Sequence, residues 1–117
     1  MRKSLAFLAL LSLLLSSVVW AAGAWETDAQ SYSIRLENAK VRVLDVTYLP
    51  GKIIPAHSLR DRLVIVHDAG RIRTEDEAGL KKERDMVAGD ISWEKAENLI
   101  IENIGTTIIK AQYIEIK

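Results

Sequence analysis

Apolar and polar residues alternate in short runs along most of the chain. Tyr32, Ile34 and Leu36 alternate with Ser33, Arg35 and Glu37, the period of two that marks a half-buried strand. Val41 to Leu49 is a second strand, with Val41 and Val43 pointing one way and Leu44, Val46 and Tyr48 the other. The change of phase around Val43-Leu44 predicts either a bulge or a strand that is apolar on both faces. Pro50-Gly51 breaks this strand, since proline presets one turn dihedral and glycine accepts a positive one. Ile53 to His57 is extended and interrupted by Pro55; Arg60-Asp61-Arg62 reads as an exposed polar turn. Leu63 to His67 is the best candidate for a central strand. Arg71 to Glu75 follows, with Ile72 inward, then a turn at Asp76 to Gly79 and a charged return from Leu80 to Met86 at the exposed rim. Ile91 to Trp93, Leu99 to Ile104 and Thr107 to Ile116 complete the set, and Trp25 to Ser33 reads as a loose arm or edge strand. Short strands at roughly 8–12-residue spacing, with glycine turns between them and no helical periodicity, predict an all-β sandwich or barrel.

The first residues follow another pattern. Arg2 and Lys3 precede the apolar run Leu5 to Leu15, and Ala22-Gly23-Ala24 supplies a small-x-small site. This layout predicts a signal peptide over residues 1–24, cleaved after Ala24, with Val19-Trp20-Ala21 as the alternative site. The competing reading is an uncleaved anchor, because Ser4 to Trp25 carries no charge and is long enough to span a bilayer. A basic start with an Ala-x-Ala end looks bacterial, so the expected address is the periplasm or the cell exterior. An arm over 25–37 and a single domain over 38–117 would remain.

The chain has 117 residues with 16 basic and 16 acidic side chains. Removing residues 1–24 takes away only Arg2 and Lys3, leaving 14 basic against 16 acidic residues, a net charge of −2. That balance offers no footprint for nucleic acid, and after signal cleavage nothing points to a membrane. With no cysteine, thiolate metal sites, cysteine nucleophiles, disulfides and a lipid-modified cysteine are all excluded.

The stretch from Pro50 to Gly70 and a second one near the C-terminus resemble the two motifs of the small single-domain cupins, the RmlC-like jelly-roll family. Gly51, five residues, His57 and then Gly70 follow the first motif; Val87-Ala88-Gly89-Asp90 and Glu102-Asn103-Ile104-Gly105 follow the start and close of the second. The resemblance covers about Asn38 to Lys117. It implies a cupin-type jelly-roll β-barrel. It also implies where metal ligands would stand, and there the chain departs from it. The second histidine of the first motif falls on Leu59, its glutamate on Leu63 or Val64, and the histidine of the second motif on Leu99. The proline and glycine of the second motif fall on Lys95 and Glu97. His57 alone remains, and one histidine cannot hold a divalent transition metal that needs three or four ligands. No metal and no cofactor are therefore expected.

His57 is the first candidate for ligand binding or for general-base work, set against a hydrogen-bonded leftover at the barrel mouth. Arg62 could help clamp an anion with Arg60, set against a solvated loop. Trp93 and Tyr113 could line a pocket, set against ordinary core. His67 reads as a surface histidine. No catalytic residue is assigned. The function expected is an exported cupin-fold protein without the usual metal site, binding a small molecule or a protein partner without catalysis. A homodimer through edge strands or the N-terminal arm would suit it. The alternative is a cupin enzyme, with or without metal, whose relocated site joins His57 to Asp61, Glu97 or Glu102.

Overall fold

The computed structural model describes residues 23–117. The apolar run, the alternative cleavage motif and most of the anchor reading lie outside the described residues. One short helix and nine strands follow in order: α1 Ala24–Thr27, β1 Tyr32–Glu37, β2 Val41–Tyr48, β3 Ile53–Leu59, β4 Arg62–Asp68, β5 Gly70–Glu75, β6 Lys81–Met86, β7 Ile91–Glu94, β8 Glu97–Asn103 and β9 Ile109–Ile116. They form two antiparallel sheets, ordered β1-β2-β9-β4-β7 and β3-β8-β5-β6. The two sheets face each other as walls and do not close into one continuous barrel.

The core lies between the sheets, where each wall presents alternate residues. Leu44, Val46 and Tyr48 of β2, Val64 and Val66 of β4, and Ile109, Ala111 and Tyr113 of β9 are buried from one side. Ile54, Leu59, Ile72, Leu99 and Ile101 are buried from the other. The phase change in β2 resolves as a strand apolar on both faces. Its register with β9 runs unbroken from Val41 to Tyr48, and the bulge sits on β1, between Ile34 and Leu36.

Three local devices set the strand ends. Gly51 takes φ +76°, which its missing side chain allows. At Gly70 a Cβ would come within 2.2 Å of Ile109, so glycine is what lets β5 pass β9. Asn103, at the end of β8, donates to the carbonyls of Tyr48 (2.8 Å) and Thr107 (2.9 Å) and accepts from the Gly105 amide (3.0 Å). The Glu-Asn-Ile-Gly close thus latches two loops to a buried amide.

Trp25 to Ser33 is not loose. It begins as one helical turn whose Ala24 is buried, and Trp25 packs on the core with the Arg42 guanidinium 3.8 Å from its ring centroid. Arg42 reaches on to Glu37 (2.8 Å) and to the buried Glu115 (3.4 Å), so this segment closes one end of the sandwich.

Candidate functional site

A bulge places His57. The β3–β8 register slips between Ile54 and His57, so His57 and Leu59 face inward, which strict alternation from Ile54 would forbid. His57 is fully buried. Its Nδ1 lies 2.8 Å from the Pro55 carbonyl, which can only accept, so Nδ1 carries a proton. Burial holds the pKa of the imidazole below its usual value. In the neutral ring Nε2 is an acceptor, and the Tyr32 hydroxyl, 3.0 Å away, donates to it. The Tyr32 hydroxyl bonds that of Tyr48, which lies 2.8 Å from that of Tyr113. Each phenol has one proton, so the chain has one direction: Tyr113 donates to Tyr48, Tyr48 to Tyr32 and Tyr32 to His57. Burial raises the pKa of all three phenols and keeps them protonated. The result is a closed polar cluster with its hydrogen bonds used internally.

Beyond Leu99, the cross-strand partner of His57, lies a cavity of about 230 Å³. Its floor includes Val64, Ile72, Met86, Leu99 and Ile101, and its rim Lys82, Arg84, Glu94, Arg62 and Glu97; Tyr113 forms part of one wall. Two ion pairs brace the rim, Arg84 with Glu94 at 2.9 Å and Arg62 with Glu97 at 3.1 Å.

Of the four residues singled out from sequence, three converge and one does not. His57, Tyr113 and Arg62 belong to the same interior. Arg62 is not in an exposed turn: it opens β4 in phase with Val64 and Val66 and is buried. Its Nη1 donates to the carbonyls of Arg60 (3.1 Å) and Lys95 (3.2 Å), and its guanidinium carbon lies 5.2 Å from the Tyr113 ring centroid. With Glu97 on Nη2, three of its five N–H donors are engaged, and its buried Nε has no partner among the described residues. Trp93 lies elsewhere. It pairs with Leu63 on the outer side of β7 and is 52% exposed, neither pocket wall nor core. His67 is exposed, as expected.

None of the acids considered as partners for His57 meets it. Asp61 accepts from the Ala96 amide (2.7 Å), Glu97 holds Arg62, and Glu102 pairs with Arg73 (3.3 Å). Among the described residues no three His, Asp or Glu side chains gather where a metal ion could be held. The interior does not fit one: both ring nitrogens of His57 are engaged, and Leu59 and Leu99 are buried beside it.

Sequence reasoning missed Tyr32 and Tyr48 as polar groups, and missed Lys82 and Arg84 as cavity residues. The signal for the latter was present. Met86, Arg84 and Lys82 share a phase on β6, opposite Gly70, Ile72 and Thr74.

The architecture has clear relatives among solved structures. A cupin domain from Bordetella pertussis Tohama I superposes with a TM-score of 0.68 at 20% identity, covering 83% of this chain and 96% of that one. This protein has the cupin fold. An RmlC-like cupin family protein with a double-stranded β-helix fold from Methanocaldococcus jannaschii matches at TM-score 0.57 and 15% identity, over 80% of this chain and 86% of its own. A cupin superfamily protein from Desulfitobacterium hafniense DCB-2 matches at TM-score 0.54 and 15% identity, over 73% and 74%. No protein-family model matches the sequence, and no curated protein does. The cupin fold is carried here with Leu99 paired across the sheet from His57 and, beyond it, a cavity with an apolar floor and a charged rim.

Proposed function

We propose that this cupin-fold protein is an exported binding protein without a metal centre. It takes a compact, largely apolar molecule with a polar head into the cavity beside Leu99. The observation that carries this is the lining: aliphatic side chains and Met86 form the floor, and paired ions plus Lys82 form the rim. At about 230 Å³ the cavity is below the size that drug-like ligands need, so the ligand is small. Thermal-shift measurements against short aliphatic and aromatic acids, alcohols and amines test it. At least one class raises the melting temperature of the natural chain and not of an Ile72→Trp variant, whose indole fills the cavity. No shift with any class, and nothing co-purifying in native mass spectra, contradicts the reading.

Export rests on the N-terminal pattern. Of the two processing motifs, the fold favours Val19-Trp20-Ala21. The Gly23 carbonyl accepts from the Thr27 amide (3.1 Å) and hydroxyl (2.9 Å), Gly23 bridges to Ser58, and Ala24 is buried. A cut after Ala24 would discard these contacts, and a cut after Ala21 keeps them. The mass of the protein recovered from the periplasm or medium then corresponds to a start at Ala22. A start at Trp25 contradicts the processing site, and an intact Met1 contradicts export.

A further inference from the structure

The cavity beside Leu99 has a polarity that runs in one direction across the four-stranded sheet. Lys82 pairs with Thr74, and Thr74 with Ile101, so these three side chains stand on one face in a row across β6, β5 and β8. All three line the cavity, and the row passes from an ammonium through a hydroxyl to an aliphatic floor. The charges around it are unevenly spent. Glu94 is held by Arg84 (2.9 Å) and by the Ser92 hydroxyl (3.2 Å), and Glu97 by Arg62 (3.1 Å). Glu83 turns to Arg71 and Arg73, at 3.8 and 3.9 Å. Among the described residues Lys82 pairs with no carboxylate, and the Thr74 hydroxyl bonds no other group. On the facing wall Arg62, only 3% exposed, has a buried Nε without an acceptor. Each carboxylate at the cavity thus has its cation, and the side-chain groups left over all donate.

The geometry points to a small carboxylic acid as the ligand of this cavity, bound as its anion, with the carboxylate on Lys82 and Thr74 and the chain over Ile101 and Leu99. This inference rests on the cavity being a binding site and adds the head group. A carboxylate only accepts, and its charge is opposite to that of Lys82, so it satisfies the ammonium and the hydroxyl together. An ammonium head would face Lys82 and Arg84 with no carboxylate left to receive it. A neutral head leaves the Lys82 charge unmatched at the edge of an apolar space. Size follows from strand spacing and volume. β6 and β8 stand about 10 Å apart with β5 between them, which limits the distance from head to tail. At an interior packing density of about 0.74, the cavity of about 230 Å³ holds roughly eight or nine non-hydrogen atoms. Hexanoate matches both limits.

Isothermal titration calorimetry with hexanoate, hexanamide and hexylamine, on the full chain in the form in which it accumulates, tests this. Hexanoate binds at one site, about tenfold more tightly than hexanamide, and hexylamine gives no heat of binding. Lys82→Met keeps the stem and removes the charge. It weakens hexanoate about tenfold and leaves hexanamide unchanged, while Lys82→Arg retains hexanoate. Lys82 is exposed, so circular dichroism of both variants stays native. Hexanamide or hexylamine binding as tightly as hexanoate overturns the carboxylate while the cavity stands as a binding site. Hexanoate binding that Lys82→Met does not weaken overturns it in the same way. Absence of hexanoate binding also overturns it, and the wider thermal-shift series then decides separately whether the cavity takes any molecule.

Discussion

The interior of the sandwich has two ends with opposite designs, with Leu99 and Tyr113 between them. On the His57 side every polar atom of the cluster is matched by another, from the Pro55 carbonyl through three phenols. On the other side the space is left open, apolar below and ionic at the rim. A polar group can be buried cheaply only when its bonds are complete, and the His57 end meets that condition. A void loses dispersion contacts, so the open end destabilises the fold unless something occupies it. The difference teaches that the one histidine of the motif marks the closed end, and that the open space lies across the wall from it.

Removing the wall is predicted to have the largest effect. Leu99→Ala merges the two ends and costs about 3 kcal/mol in denaturant unfolding, the usual range for a buried leucine. It also lets water reach His57, so the imidazole titrates closer to its ordinary value by NMR. Tyr48→Phe comes next. It keeps the ring but removes the central link, leaving the Tyr113 hydroxyl without its acceptor and the Tyr32 hydroxyl, still bonded to His57, without its donor, for a loss of about 2 kcal/mol. A smaller effect is the pH dependence carried by His57. Its folded pKa lies below the ordinary 6.5, so as pH falls below 6.5 the unfolded chain takes up the proton first. Stability therefore declines on acidification through that window, by at most about 1.4 kcal/mol per pH unit, and levels off below the folded pKa. His57→Leu removes this slope from a urea-unfolding series between neutral and mildly acid pH. The smallest effect belongs to the open rim, where Lys82→Ala changes stability by no more than about 0.5 kcal/mol.

Much of the fold was legible because it is local. Period-two alternation, the Pro50-Gly51 turn and the Gly89-Asp90 turn are visible in a few consecutive residues, and together they place most strands. The interior was less legible because it depends on pairing over long separations. Tyr32, Tyr48 and Tyr113 meet only when β1, β2 and β9 assemble, and nothing near any of them announces the cluster. Arg62 could have been read inward, since it shares its phase with Val64 and Val66; its charge argued for the surface and was outweighed by the carbonyls and Glu97 waiting at its end of the strand. Trp93 went the other way. Its size argued for burial, but its pairing with Leu63 puts it on the outer face. The two outer faces also differ in legibility. The Arg71, Arg73, Glu83, Asp85 and Glu102 ion pairs read directly as a solvated surface. The outer face of the other sheet carries an apolar row, Leu36, Val43, Ile114, Leu63 and Trp93, hinted at by the two-faced β2 and visible only through five strands of register.

The central proposal is that His57, with both ring nitrogens already engaged, ligates no metal. Metal analysis by plasma mass spectrometry of protein purified without chelators, repeated on His57→Leu, tests this most directly. The prediction is no stoichiometric iron, manganese, nickel, copper or zinc in either protein. One equivalent of such a metal in the natural chain, lost in His57→Leu, would contradict it.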